Sequence, residues 1–181
     1  MGNDKKMSTV HMVLTALMAA VLCVLGPFAV PVGAVPISLT SLVLYFLVYI
    51  LNGRLALISY AIYFLLGLVG LPVFSGFSGG IGKILGPTGG YLFGFFLMIP
   101  LCALAVNRFN KRNILQYVGM VFATLVAYAF GTIWFMASMG CTLGTALTIC
   151  VVPFIIGDLI KIALAVWLGP ILRKRMHMAG V

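Results

Sequence analysis

The chemistry in this sequence is concentrated near its C-terminal end, in the stretch Gly157-Asp158-Leu159-Ile160-Lys161. Asp158 and Lys161 are three positions apart, which puts them on one face of a helix. They sit inside an apolar run from Pro153 to Leu172 that is long enough to cross a bilayer. A carboxylate and an ammonium in such a run cost about 3 kcal/mol each on insertion scales. Two arrangements make that cost tolerable: an ion pair that neutralises itself and binds nothing, or a polar site facing a cavity. Asp158 is one of only two acidic residues in the chain, the other being Asp4 near the start. Other chemistry is absent from the pattern. Cys23, Cys102, Cys141 and Cys150 lie in apolar surroundings without a CxxC spacing, and His11 and His177 flank the apolar part without forming a motif. With neither a nucleophile–base pair nor a metal cluster, no catalytic or metal-binding residue is assigned and no enzyme is expected.

The elements that must position this pair are membrane helices. The 181 residues are 64% hydrophobic and 7% charged, against about 25% charged in soluble domains. Six apolar helices are expected, over about 8–25, 37–51, 55–69, 87–106, 114–139 and 153–172, in one membrane domain spanning 8–173. Tails at 1–7 and 174–181 flank it. The connection 26–36 holds Pro27, Pro31 and Pro36 and cannot be a continuous helix. The connection 70–90 is rich in glycine and contains Lys83. Irregular backbone at membrane depth is tolerated only where it is buried in protein or lines a cavity. In the first helix, Ala16 and Ala20 are four apart, a spacing of small residues that lets another helix approach closely.

The basic residues set the topology. Lys5 and Lys6, Arg54, Arg108 with Lys111 and Arg112, and Arg173 with Lys174 and Arg175 fall at every alternate connection. The positive-inside rule then places both termini in the cytoplasm, and it accounts for the net charge of +9 without a nucleic-acid partner. The alternation needs the first helix, which argues against its being a cleaved signal peptide. Lys83, Lys161 and Asp158 are the charges that topology leaves unexplained. Asp158 lies fifteen residues before Arg173, about 22 Å along a helix, so it sits in the outer half of a core about 30 Å thick. Lys83 is in an outer connection. The three can converge on an outward-facing pocket walled by 26–36 and 70–90. Two positive charges and one negative suit a ligand with one carboxylate and some hydrogen-bond donors.

Several motifs carry a family resemblance. Gly-Leu-Pro-Val-Phe at 70–74, Gly-Gly-Ile-Gly at 79–82, Gly-Pro-Thr-Gly-Gly-Tyr-Leu-Phe-Gly-Phe at 86–95, Val-Pro-Ile-Ser-Leu-Thr at 35–40 and Gly157-Asp158-x-x-Lys161 together resemble the BioY biotin transporters. These are the substrate-binding S components of energy-coupling factor (ECF) transporters. The resemblance implies high-affinity biotin uptake across the plasma membrane of a prokaryote, with a loop between the first two helices closing over the ligand. It also implies that Ala16 and Ala20 dock on a transmembrane coupling subunit served by two cytoplasmic ATPases. Biotin has a carboxylate, a ureido ring with N–H donors, and an apolar ring and chain. A lysine, Lys83 or Lys161, would hold the carboxylate, and Asp158 would accept from a ureido N–H. Phe74, Phe77 and Tyr91 would cover the apolar part. Thr40 stands where many members of that family carry Gln, and it completes the expected binding set. The rival reading is an ion-coupled secondary transporter of a small carboxylate that uses Asp158 as its proton carrier. Against it stand the lack of a second acidic relay and of an inverted repeat.

Overall fold

A computed structural model of the chain describes residues 9–30, 35–110 and 112–178. The N-terminal tail with Asp4, Lys5 and Lys6, residues 31–34 of the connection after the first helix, Lys111 and residues 179–181 lie outside the described residues. The elements run α1 (Thr9–Leu25), β1 (Ala29–Val30), β2 (Ile37–Ser38), α2 (Thr40–Ile50), α3 (Gly53–Val69), α4 (Ile81–Leu85), α5 (Gly89–Arg108), α6 (Asn113–Met139), α7 (Leu143–Cys150) and α8 (Val152–Met178). Of these, α5, α6 and α8 are long and apolar enough to cross a membrane, and α1, α2 and α3 are shorter apolar helices.

Glycines in the 86–95 motif serve packing. α5 lies along α6 in the most extensive helix pairing of the fold. The backbone of Gly94 approaches Ala127 so closely that a methyl group there would stand 3.1 Å from the Ala127 backbone. Gly90 rests against the Trp134 side chain, and Trp134 Nε1 donates to the Gly86 carbonyl at 3.0 Å. Small residues at such a seam let two helices pack where no hydrophobic effect drives them together. α2 packs mainly on α8, and α1 on α3.

Three local expectations differ from the structure. The second helix does not begin at Ile37. Ile37 and Ser38 pair antiparallel with Val30 and Ala29, and Leu39 N donates to the Phe28 carbonyl at 3.1 Å, so helix starts only at Thr40. At 11 residues, α2 is about 16 Å long, well short of a bilayer core of about 30 Å. The connection after α6 is not merely a loop: it contains α7, opened by Thr142, whose hydroxyl accepts from the Thr145 amide. The last helix continues past Leu172 to Met178.

The connections between α1 and α2 and between α3 and α5 are tied to each other. Gly76 N donates to the Pro27 carbonyl at 2.9 Å, and Phe28 meets Phe77 edge to face with ring centroids 5.5 Å apart. The second connection is in turn fixed to α3, where Gly80 N donates to the Gly67 carbonyl at 2.7 Å.

Candidate functional site

The space that the short α2 leaves at its N-terminal end is a cavity of about 700 Å³, open mouth included. Its walls come from the β1–β2 connection, α2, α3, the α3–α5 connection, α5, α6 and α8.

One end is polar and closed on itself. Lys161 Nζ donates to Asp158 Oδ1 at 3.0 Å, to Ser41 Oγ at 3.0 Å and to the Ser38 carbonyl at 2.9 Å. An ammonium has three N–H donors, and each has an acceptor here. Asp158 also accepts from Ser41 Oγ at 3.1 Å on Oδ1 and from Tyr128 Oη at 2.7 Å on Oδ2. The side chains of Lys161 and Asp158 are only 12% and 9% exposed, so this net-neutral cluster is held away from bulk solvent. It joins β2, α2, α6 and α8 through five residues from three separate stretches of the sequence. The middle of the cavity is aromatic. Tyr91 stacks on Phe154 and donates to the Cys150 carbonyl, which fixes its ring. Phe74 is fully buried against Tyr63. Tyr45 exchanges a 2.7 Å hydrogen bond with Thr124. The Tyr63 hydroxyl is buried and has no partner among the described residues, although Tyr63 lines the cavity.

Lys83, in α4, also lines the cavity. Among the described residues its Nζ has neither an ion-pair nor a hydrogen-bond partner, the one ion pair being Asp158–Lys161. Partial burial pulls the Lys83 ammonium below the usual lysine range.

Of the residues picked from the sequence, Asp158, Lys161, Lys83, Tyr91, Phe74 and Thr40 all line this cavity. Phe77 does not. Its backbone is left-handed at φ 52°, which turns the ring outward onto Phe28, 62% exposed; its contact is with the neighbouring connection. Ala16 and Ala20 lie on the outside of α1, among the exposed side chains of Met12, Val13, Leu17 and Val24. The sequence reading missed Ser41, Tyr128, Tyr45, Thr124 and Tyr63. A usable signal existed: Ser41, Tyr45 and Tyr49 recur every four residues on α2, and Gln116, Thr124 and Tyr128 fall on the same four-residue grid on α6. Hydroxyls repeated at that spacing in apolar helices mark an interhelical polar seam.

Comparison with known proteins places this geometry. The BioY family model matches residues 3–178. Biotin transporter BioY2 of Lactococcus lactis is 32% identical over 169 residues, covering 93% of this chain and 91% of the relative. A probable biotin transporter BioY of Pyrococcus horikoshii is 36% identical over 153 residues, covering 84% and 90%. Among solved structures, the S-component for biotin from an ECF-type ABC transporter superposes with a TM-score of 0.85 at 28% identity, covering 96% of this chain and 95% of the other.

Proposed function

The chain belongs to the BioY family, and from that premise we propose that it binds biotin in the cavity described above and serves biotin uptake as the S component of an ECF-type transporter. The observation that carries the reading is the cavity's lining: a neutral, hydrogen-bonded cluster around Asp158 and Lys161, aromatic rings, and Lys83, a cation with no partner among the described residues. Biotin has the matching set of groups: a ureido ring, an apolar ring and chain, and a terminal carboxylate.

In this pose the ureido group meets the Asp158 cluster. A carboxylate oxygen has about two acceptor positions. Asp158 Oδ2 is used once, by Tyr128, so one position remains for a ureido N–H in a charge-assisted bond. Tyr91, Phe154 and Phe74 cover the apolar part. Thr40 is buried at the edge of the same wall. The carboxylate falls to Lys83, because the donors of Lys161 are already engaged. Charge then balances: the Asp158–Lys161 pair sums to zero, and Lys83 offsets the single negative charge of the ligand.

The membrane arrangement belongs to the same proposal. Six spans, formed by α1, α2, α3, α5, α6 and α8, put both termini and the basic clusters in the cytoplasm of a prokaryotic cell and the cavity on the outside. Uptake requires a transmembrane coupling subunit and two ATPases, with the small-residue face at Ala16 and Ala20 as the docking surface. The chain acts as a binding and transport subunit and not as an enzyme.

The test is titration of the purified chain, without any ATPase, with biotin and with biotinamide. Biotin should bind and biotinamide should bind at least tenfold more weakly. No heat and no thermal stabilisation at saturating biotin would reject the reading. Docking has its own check: replacing Ala16 and Ala20 together with Leu should abolish ATP-driven uptake and leave biotin binding intact.

A further inference from the structure

A second cavity opens at the opposite, basic end of the molecule, with about 650 Å³ of space open to the surroundings. Its floor is Tyr49, Ile50 and Leu51 at the end of α2, and its polar groups are His11, Asn52 and Arg173, with Met176 closing one side. Two of the polar groups are oriented by contacts of their own. Arg173 Nη2 donates to Asn107 Oδ1 at 2.9 Å, which fixes the plane of the guanidinium while leaving most of its five donors available. Asn52 caps α3, its Oδ1 accepting from the Leu55 amide at 3.0 Å, so its amide NH₂ remains as a donor. The Tyr49 hydroxyl donates to Gln116 Oε1 at 2.8 Å, so its own donor is already used.

The charge of Arg173 is not neutralised by any described carboxylate. The only ion pair among the described residues is Asp158–Lys161, fifteen residues and about 22 Å away along α8. The cavity therefore pairs an apolar floor with a rim of donors: a fixed guanidinium, an amide and an imidazole. The start of α3 adds the partial positive charge of a helix N-terminus. A planar guanidinium is well suited to two oxygens of a phosphate at once. The neighbouring apolar surface, including exposed Ile171 and Leu172 on α8, fits hydrocarbon.

We infer that this cavity binds a phosphate-bearing anion, with Arg173, His11 and Asn52 as the recognising side chains. Two sources share that chemistry, the phosphodiester headgroup of an anionic lipid and free phosphate. The inference is independent of what the first cavity binds.

Native mass spectrometry of the detergent-solubilised full chain with dioleoylphosphatidylglycerol, against dioleoylphosphatidylcholine, tests it. Wild type should retain the anionic lipid at least fivefold better than the zwitterionic one. Arg173→Gln should lose that preference, and His11→Gln should weaken it. Arg175→Gln, an exposed cation outside the cavity, should change it less than twofold. A melting curve of every variant reports whether it is folded. Displacement of the lipid by millimolar inorganic phosphate assigns the site to the phosphate group alone; retention of the lipid assigns it to headgroup and chains together. Equal lipid and phosphate binding by wild type and Arg173→Gln, or an equal loss in Arg175→Gln, would overturn the inference.

Discussion

The two lysines that line the first cavity occupy opposite electrostatic situations. Lys161 lies in a helix at membrane depth, and protein oxygens take its donors: a carboxylate, a hydroxyl and a backbone carbonyl. Lys83 lies half-buried in the connection between α3 and α5 and has no such partner among the described residues. The difference follows from solvation. A cation buried in apolar surroundings must be neutralised by the protein itself, because nothing else there can do so. A half-buried cation can be left to water until a ligand arrives. The deep lysine is thus part of the wall, and the shallow one is a free hand. Sequence gives both residues the same letter and cannot tell these roles apart.

The sharpest way to break the comparison is to remove the deep lysine. Lys161→Met leaves Asp158, Ser41 and the Ser38 carbonyl each short of a donor. Breaking a buried pair by one partner costs about 3 kcal/mol. The expected result is a clear loss of thermal stability together with at least a tenfold loss of biotin affinity, about 1.4 kcal/mol. Combining it with Asp158→Asn should recover part of the stability but none of the affinity, because the acceptor for the ureido N–H is gone. Calorimetry and melting curves on the single and double variants check this. Near-normal affinity in the double variant would make the cluster purely structural.

Removing the shallow lysine should act differently. Lys83→Met should leave the melting temperature unchanged and weaken biotin binding about tenfold, or about 1.4 kcal/mol, while binding of biotinamide stays as it was. If the variant discriminates between the two ligands as wild type does, the carboxylate is not at Lys83.

A smaller effect is expected from Tyr128→Phe. Its hydroxyl donates to Asp158 Oδ2 at 2.7 Å and holds the carboxylate in orientation. A hydrogen bond of this kind contributes about 1 kcal/mol net, so affinity should fall about fivefold. The loss should be equal for biotin and biotinamide, since Tyr128 acts at the ureido end. A loss confined to biotin would place the carboxylate at this end.

How much of this was legible beforehand depends on whether a residue violated its surroundings. Asp158, Lys161 and Lys83 stood out because charge in an apolar chain is costly, and all three line the cavity. Tyr91, Phe74 and Thr40 were carried by motif resemblance and also line it. Phe77 is three residues from Phe74, but a left-handed turn sends it to the outside; no periodicity reports such a turn. Ser41 and Tyr128 were passed over because a lone hydroxyl costs little in a helix, and their importance appears only when three helices meet at Asp158. The start of α2 was misplaced for a similar reason: Ile37 and Ser38 are withheld from it by pairing with Val30 and Ala29, a contact that local propensity does not encode. The helices themselves were legible because long apolar runs separated by glycine, proline and basic clusters leave few alternatives.

The smallest expected effect sharpens the comparison through pH. Burial lowers the pKa of Lys83 below its ordinary 10.5, so in the ligand-free protein it becomes neutral at a lower pH than a solvated lysine. Only the charged form attracts the carboxylate. Biotin affinity should therefore be constant below that lowered pKa and fall as pH rises through it. At the pH where half of the ligand-free molecules carry a neutral Lys83, the competent fraction is one half and the apparent affinity drops about twofold. Biotinamide, with no carboxylate, should show no such limb, and Lys83→Met should abolish it for biotin. Lys83→Arg keeps a cation that stays charged across the range and should bind biotin without the alkaline fall. An unchanged limb in Lys83→Met would mean that the titrating group lies elsewhere, and Lys83 would lose its assigned role.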